Sequence, residues 1–175
     1  MKILVVIAPE NFRDEELFEP LHIFNKNNID FDVVSTTKGE HTGMLGGKIT
    51  TTTNIDEIDE KDYCGIVIVG GSGSKEYLWN NNNLINLVKS FYENNKIVSA
   101  ICISPAVLAI SNILKNKRAT VFPSNDAIEE LLKGGAIYID EGVVVDKNII
   151  TAKNPDYATD FGIKIVELLN IVNLQ

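Results

Sequence analysis

The chain has 175 residues, of which 45% are hydrophobic and 23% are charged, and it carries a formal net charge of −8. These values predict one domain, residues 1–175, that is large enough to bury a core. The acidic balance argues against nucleic acid or an anionic membrane surface as the main partner. No apolar run reaches the ~20 residues of a membrane span, and the run Ile3–Ala8, which Pro9 ends, is too short for a signal peptide. We therefore expect a cytoplasmic protein whose two cysteines, Cys64 and Cys102, stay reduced.

Short apolar runs recur along the chain and are typical of strands. A run without polar alternation indicates a strand covered on both faces, as in a parallel sheet. The main candidates are Lys2–Ala8, Phe31–Ser35, Gly65–Val69, Ile97–Ile101 and Arg118–Phe122. Three shorter candidates follow at residues 136–139, 143–145 and 148–151, with a hairpin expected among them.

Helical spacing of apolar residues separates most of these strands. It predicts helices from the expected N-cap Asp14 to about Asn27, over residues 84–92, from Pro105 onward, over residues 126–133, and from Asn154 or Asp156 toward the chain end. The polar, Gly-rich region 36–53 is expected to form short strands and turns at the sheet edge, and the acidic region 55–62 a solvated connection. Alternating strands and helices predict an α/β fold, with a mainly parallel sheet and helices on both faces.

Cys102 is the first candidate functional residue, because it lies between a predicted central strand and a predicted helix. This is the position of a nucleophile elbow, although the Gly-x-Ser-x-Gly form is absent. Unpaired backbone N–H groups and the helix dipole at such a helix start favour a thiolate. The alternative is a buried structural cysteine that packs as a small hydrophobic residue.

Other candidates come from loops at the same rim, where the carboxyl ends of parallel strands meet. The turn Gly70–Lys75 fits neither the dinucleotide nor the P-loop pattern, so it predicts either a turn with positive φ or backbone N–H groups that hold an oxyanion. Glu15 and Glu16 stabilise a helix start, and one of them could also reach Cys102.

Catalytic bases and metal ligands are scarce in this sequence. A cysteine hydrolase usually needs a histidine base, and the only histidines, His22 and His41, lie on a helix past the rim and in the irregular region. No His-Glu-x-x-His or Cys-x-x-Cys spacing is present. We therefore expect neither a metal nor another cofactor.

Four sequence blocks are considered together: Ile3–Ala8 with Phe12–Leu17 and Pro20, Val67–Gly71, Ala100–Cys102 with Pro105, and Ile150–Lys153 with Pro155. In this order they resemble the ThiJ/PfpI family, which also contains the parkinsonism-associated protein deglycase and belongs to the class I glutamine amidotransferase-like superfamily. The resemblance covers nearly the whole chain. It implies a flavodoxin-like three-layer sandwich and a homo-oligomer, dimeric or larger.

The resemblance also implies roles for individual residues. Cys102 would be the reactive thiol, and Glu16 the carboxyl that contacts it. Gly71 and Ile103 would offer N–H groups to an oxyanion, with Gly70 beside them.

Departures from the family pattern bear on the reaction. The peptidase-like members carry a histidine directly after the nucleophile, where this chain has Ile103, and a partner-subunit glutamate where Lys75 or Glu76 falls. The glyoxalase-like members often carry a histidine where Phe122 precedes Pro123. Ser104 is a polar substitute near the thiol, but a hydroxyl cannot replace an imidazole base.

Two classes of function follow from the resemblance. We expect a cysteine-dependent enzyme acting on small reactive carbonyls, a glutathione-independent glyoxalase or deglycase that converts a 2-oxoaldehyde to a 2-hydroxy acid. The alternative is a non-enzymatic redox sensor or stress chaperone that uses the same cysteine. An intracellular cysteine peptidase fits the departures least well.

Overall fold

A central sheet organises the chain in the computed structural model, which describes residues 1–173. The strands of this part are β1 (Lys2–Val6), β2 (Asp30–Val34), β3 (Gly39–Thr42), β4 (Lys48–Thr51), β5 (Gly65–Ile68), β6 (Ile97–Ile101), β7 (Arg118–Ala119), β8 (Ile137–Tyr138), β9 (Val143–Asp146) and β10 (Ile149–Ala152). The helices are α1 (Asp14–Lys26), α2 (Ser72–Tyr77), α3 (Asn82–Glu93), α4 (Pro105–Ile110), α5 (Asn125–Lys133) and α6 (Ala158–Asn173).

The sheet has the order β2-β1-β5-β6-β10-β9, with parallel pairing throughout except for the antiparallel edge strand β9. Its five parallel strands, counted in chain order, give the flavodoxin-like order 2-1-3-4-5. β5 and β6 are buried along their whole length, as their apolar runs predict. The predicted α/β fold is confirmed. The strand order reverses between β1 and β5, so a ligand site is expected at their carboxyl ends.

Two helical layers cover the sheet. α1 and α6 pack on one face, where Phe24 and Phe161 are fully buried. α3, α4 and α5 pack on the other face around Phe91 and Leu108. Burial of each such side chain stabilises the fold by about 1.5–3 kcal/mol. Gly162 lets α6 approach α1 closely, because a Cβ at this position would lie 3.0 Å from the Cα atom of Pro20 in α1.

The segment predicted as a strand over residues 118–122 is mostly irregular. Only Arg118 and Ala119 form a strand, which pairs with β8 outside the main sheet. The next backbone donors find other acceptors: the Thr120 N–H donates to Oγ1 of Thr151 at 2.9 Å, and the Phe122 N–H to the Cys102 carbonyl at 2.7 Å. The segment therefore runs past the ends of the central strands and supports the Cys102 turn.

The acidic region 55–62 is anchored more firmly than a solvated connection. It forms two short 3-10 turns, Ile55–Glu57 and Glu60–Asp62, and both Ile55 and Glu60 are buried. Lys96 donates to the Glu60 carbonyl at 2.8 Å and pairs with the Glu60 carboxylate. A charged side chain thus ties this region to the start of β6, which sequence pattern alone does not reveal.

Asp14 differs from its predicted role as the N-cap of α1. Arg13 occupies the cap position, and the Asp14 carboxylate instead accepts the N–H groups of Leu45 at 2.9 Å and Gly47 at 2.7 Å. These groups belong to the turn between β3 and β4. The β3–β4 hairpin is also hydrogen-bonded to the loop after β1, where the Asn11 N–H donates to the Thr42 carbonyl of β3 at 2.9 Å. The hairpin therefore reaches over the carboxyl end of β1, while its strand β4 lies beside the edge strand β2 as predicted, with Ile49 and Thr50 lining one depression with Phe31 and Val33.

Replacing Asp14 with alanine removes the charged acceptor of two backbone N–H groups. We expect Asp14→Ala to lower the free energy of unfolding, measured by urea denaturation, by about 1–3 kcal/mol. Asp160→Ala is the control, because it removes an exposed acid from the first turn of α6 and should change this free energy by less than about 0.5 kcal/mol. An equal decrease in the free energy of unfolding in the two variants would contradict the role of Asp14 in anchoring the β3–β4 turn.

Candidate active site

Cys102 lies at a sharp turn between β6 and α4, as predicted. Its φ of 64° is in the left-handed region, which residues other than glycine rarely adopt. Both backbone groups of this residue are held, because its N–H donates to the Ala152 carbonyl at 2.9 Å and its carbonyl accepts the Phe122 N–H at 2.7 Å. Neighbouring strands and loops thus maintain the strained conformation, which is typical of functional turns.

Glu16, and not Glu15, is the carboxyl beside the thiol. α1 places Glu16 on its buried side with no exposed surface, whereas Glu15 is part-exposed and pairs with Arg13. Gly70 separates Glu16 from Cys102: a Cβ on Gly70 would lie 2.5 Å from Glu16 Oε1 and 2.6 Å from the Cys102 Cβ. The absence of a side chain at Gly70 therefore permits the close approach of the two groups.

Burial in an apolar environment raises the pKa of Glu16 from 4.5 to about 8. The Cys102 thiol, the Arg13 charge and the Gly70 amide act in the opposite direction, but they do not overcome burial. Neither carboxyl oxygen has a well-formed hydrogen bond to any residue in the range 1–173. Glu16 is therefore mainly protonated at neutral pH.

The Cys102 thiol is not the thiolate that its place before a helix suggests. Burial, and next the charge of an ionised Glu16, raise the pKa of Cys102 to about 12. The backbone N–H groups of Gly71 and Ile103 lower this pKa, but less strongly. α4 has only six residues and Cys102 is only 9% exposed, so the loss of hydration outweighs the effect of the helix terminus on the thiol pKa.

Because the charge on Glu16 raises the thiol pKa, a thiolate is favoured only while Glu16 is protonated. The sulfur is approached by two backbone N–H groups, whereas the carboxyl oxygens lack well-formed hydrogen bonds within the described chain. Even so, Glu16 loses its proton before the thiol does, because its pKa of about 8 lies below the value of about 12 for Cys102. The state with the proton on Glu16 and the charge on sulfur is the minor, nucleophilic one, and in it the carboxyl can donate a hydrogen bond to the sulfur.

The N–H groups of Gly71 and Ile103 form a candidate oxyanion site next to the sulfur. Neither donates to another backbone carbonyl in the described part of the chain. Gly71 has a φ of 103°, and a Cβ there would lie 2.4 Å from the Arg13 nitrogen, so this position requires glycine. The Gly70 amide instead approaches Glu16. The roles predicted for these residues are proposals, taken up below.

Ser104 is a correction to the predicted substrate site. Its hydroxyl is fully buried, donates to the Val69 carbonyl at 2.7 Å, and accepts from the Ser74 hydroxyl at 2.7 Å. A serine hydroxyl has one proton, so this network leaves Ser104 no donor for a substrate. Lys75 and Glu76 lie on α2, a helix that the glycine-rich sequence did not predict. Glu76 is exposed, and Lys75 pairs with Asp126.

Histidine contributes no base to this site. His22 is exposed on α1, and His41 is buried between the Pro9 carbonyl and the Thr51 hydroxyl, at 2.9 Å from each. Within residues 1–173 no group of His, Cys, Asp and Glu side chains could hold a metal ion. A surface depression of about 580 Å³ lies between residues 55–61 and α3, and it does not include Cys102 or Glu16.

Arg13 is the site residue that sequence reasoning missed. Its backbone N–H donates to the Gly70 carbonyl at 3.0 Å, which joins the start of α1 to the glycine turn. Its guanidinium bonds both oxygens of Glu15, at 2.7 and 3.1 Å. An arginine directly before three acidic residues was the available signal, but spacing alone does not tell which side chains meet.

Comparison with known proteins agrees with the fold. A model of the DJ-1/PfpI family matches residues 1–168. An uncharacterized protein of Methanocaldococcus jannaschii, MJ0967, is 62% identical over 96% of this chain and 82% of its own length. The deglycase TK1284 of Thermococcus kodakarensis is 31% identical over 89% of this chain and 91% of its own length. The putative cysteine protease YraA of Bacillus subtilis is 31% identical over 96% and 98% of the two chains.

A solved structure has the same architecture. The crystal structure of a ThiJ/PfpI domain protein from Brachyspira murdochii superposes with a TM-score of 0.92 at 34% identity, covering 97% of this chain and 96% of that chain. No helix in the described part of this chain has both the length and the apolar character needed to cross a bilayer. From its sheet order, its cysteine turn and these matches, the chain belongs to the DJ-1/PfpI family.

Proposed function

We propose that the protein is an enzyme that uses Cys102 to convert small reactive carbonyls, with 2-oxoaldehydes going to 2-hydroxy acids. The observation that carries the proposal is the buried pair of Cys102 and Glu16 next to the N–H groups of Gly71 and Ile103, which approach the sulfur. Relatives named deglycases and a protease support family activity of the deglycase or protease type. The glyoxalase reaction and its cysteine mechanism are the finer proposal.

The first step is addition of sulfur to the aldehyde carbon. The Cys102 thiolate forms a carbon–sulfur bond, and the electron pair of the carbonyl moves to oxygen. The Gly71 and Ile103 N–H groups stabilise this developing charge. Protonated Glu16 then gives its proton to the oxygen, which leaves a neutral hemithioacetal and a Glu16 carboxylate.

The second step moves hydrogen between the two substrate carbons. The Glu16 carboxylate takes the proton from the former aldehyde carbon and returns it to the neighbouring carbon. The hydroxyl proton on the first carbon moves to the oxygen of the second, so a thioester of a 2-hydroxy acid results. One carbon is oxidised and the other reduced, so no external oxidant is needed. Water then hydrolyses the thioester and releases the acid and Cys102.

Peptidase activity is less compatible with this site. Amide cleavage requires a proton for the leaving amine, a task that histidine performs in cysteine peptidases. Ile103 follows the nucleophile, and His41 is held by Pro9 and Thr51. The proposed carbonyl reaction releases no amine, and its transfers between Glu16 and the substrate need only a carboxyl.

The same thiol supports a second candidate, a redox sensor. Hydrogen peroxide would oxidise Cys102 to a sulfenic or sulfinic acid, and the N–H groups of Gly71 and Ile103 would bind the new oxygen atoms. Either use of the thiol needs a reducing compartment such as the cytoplasm, where both free cysteines remain thiols. Self-association into a homo-oligomer stays a prediction from the family resemblance.

Turnover of methylglyoxal to lactate tests the proposed enzyme. We expect the purified protein to form lactate and Cys102→Ser to lose at least about a thousandfold in kcat/KM. Cys64→Ser is the matched control: Cys64 donates only to the Lys2 carbonyl at 3.1 Å, and its replacement should change the rate by less than about twofold. Absence of turnover, or turnover that survives in Cys102→Ser, would refute the proposal.

The neutral state of Glu16 has a consequence for stability. A carboxyl with a pKa of about 8 in the folded state and 4.5 in the unfolded chain binds more protons when folded, so stability falls as pH rises between these values. The loss from Glu16 by pH 7 is about 3 kcal/mol. Glu16→Gln should remove this component from the pH dependence of the free energy of unfolding, measured by urea denaturation.

Glu15→Gln is the control for this experiment, because Glu15 hydrogen-bonds Arg13 and its pKa is lowered. That variant should keep the fall in stability between about pH 5 and pH 8. If Glu16→Gln shows the same fall as the parent, Glu16 is ionised in the folded protein at neutral pH and the proton transfer proposed for it is wrong.

A further inference from the structure

Arg13 and Glu15 form a fixed pair beside the reactive cysteine. Arg13 is the residue before α1, and its backbone N–H is bonded to the Gly70 carbonyl at 3.0 Å. The Nε and Nη2 atoms of Arg13 bond the two carboxylate oxygens of Glu15 at 2.7 and 3.1 Å. The Arg13 side chain is 30% exposed. The guanidinium is therefore held in one orientation at the protein surface and remains accessible from solvent.

The charge of Arg13 acts on the reacting groups themselves. It lowers the pKa of Glu16, where only the Cys102 thiol lowers it more. In return, the pKa of Arg13 is raised, first by its hydrogen bond to Glu15 and further by the charges of Glu15, Glu16 and Cys102. The backbone nitrogen of Arg13 also lies close to Gly71, where a Cβ would come within 2.4 Å of it. The start of α1 is thus packed against the glycine turn, and its cation acts on both reacting groups.

The pairing with Glu15 leaves part of the guanidinium free. An arginine side chain has five N–H donors, and Glu15 occupies one edge of the fork with two of them. No other hydrogen bond joins the Arg13 side chain to a residue within 1–173. The second edge, formed by Nη1 and Nη2, has the geometry that matches a carboxylate with two parallel hydrogen bonds.

We propose that Arg13, oriented by Glu15, selects for substrates of Cys102 that carry a carboxylate. The substrate class is then a carbonyl compound with an anionic end, whose carboxylate binds the free edge of Arg13 while its carbonyl carbon meets the sulfur. The carbonyl part of this inference rests on the proposed function. The selection of an anion does not, because it concerns any electrophile that reacts with Cys102.

Alkylation with two matched reagents tests the selection without any turnover. Iodoacetate and iodoacetamide transfer their CH₂ carbon to the thiolate with loss of iodide and differ only in a carboxylate or an amide. The ratio of their rate constants cancels the thiolate population, which is common to both. The measurement uses the Cys64→Ser background, so that Cys102 is the one thiol present.

We expect Arg13→Gln to lower the ratio of iodoacetate to iodoacetamide rates by about tenfold to hundredfold, the size of a charge-assisted hydrogen bond. Arg13→Lys keeps the charge without the fork, so the ratio should fall by less. Arg118→Gln removes the other arginine of the chain, on β7, and should leave the ratio within about twofold. A ratio that Arg13→Gln changes by less than about twofold would overturn the inference.

A second measurement separates this inference from the proposed function. 4,5-Dioxopentanoate and 2-oxopentanal have the same carbon skeleton, but only the first carries a carboxylate. If both are turned over with Cys102, Arg13→Gln should raise KM for the anion alone. Turnover of both with an unchanged alkylation ratio would refute the selection by Arg13 and leave the enzyme standing. No turnover, together with a lowered ratio in Arg13→Gln, would refute the carbonyl reaction and support the anion selection.

Discussion

Glu16 and Cys102 share one buried space, and two negative charges cannot exist there together near neutral pH. Burial raises the pKa of both groups, and the charge of an ionised Glu16 raises the pKa of Cys102 further. The rest of the site follows from this constraint. Gly70 has no side chain, so the groups can approach, and Gly71 and Ile103 direct N–H groups to the sulfur rather than to the carboxyl. These contacts stabilise a charge on sulfur only while Glu16 keeps its proton.

The sheet topology explains why distant parts of the chain meet at this point. Glu16 follows β1, Gly70 follows β5 and Cys102 follows β6, and these three strands are neighbours in the sheet. Their carboxyl ends lie at one rim, where the strand order reverses. The irregular segment after β7 adds a backbone donor at Phe122, which holds the Cys102 carbonyl. The position of the site is thus a consequence of the fold, whereas its chemistry depends on a few side chains.

Much of this arrangement could be predicted from sequence, because it depends on local pattern. The apolar runs at Gly65–Val69 and Ile97–Ile101 predicted buried central strands, and both are present. Pro105 and the apolar residues after it predicted the helix that follows Cys102. The family resemblance singled out Glu16 rather than Glu15, and the structure places Glu16 beside the thiol. The strands and the helix need only periodicity and turn chemistry, whereas the choice of Glu16 rests on the family resemblance.

The features that were missed depend on partners far away in the chain. Asp14 fits an N-cap by local pattern, but the N–H groups that it accepts belong to residues 45 and 47. Ser104 is polar and close to Cys102 in sequence, yet Val69 and Ser74 occupy its hydroxyl. Likewise, the thiol pKa depends on burial and on Glu16 more than on the nearby helix start. Side-chain partners across the fold decide these roles, and no local spacing encodes them.

The most direct test of the account is the ultraviolet absorbance of the Cys102 thiolate as a function of pH. The Cys64→Ser background is compared with the same protein carrying Glu16→Gln or Glu16→Ala. The thiol ionises above the pKa of Glu16, so its thiolate forms beside a carboxylate whose charge both replacements remove. The account predicts that the thiolate of Glu16→Gln and that of Glu16→Ala appear at least about one pH unit lower than the thiolate of the background. If Glu16→Ala instead leaves the thiol pKa unchanged or raises it, the charge of Glu16 does not act on the sulfur, and the mutual exclusion of the two charges is contradicted.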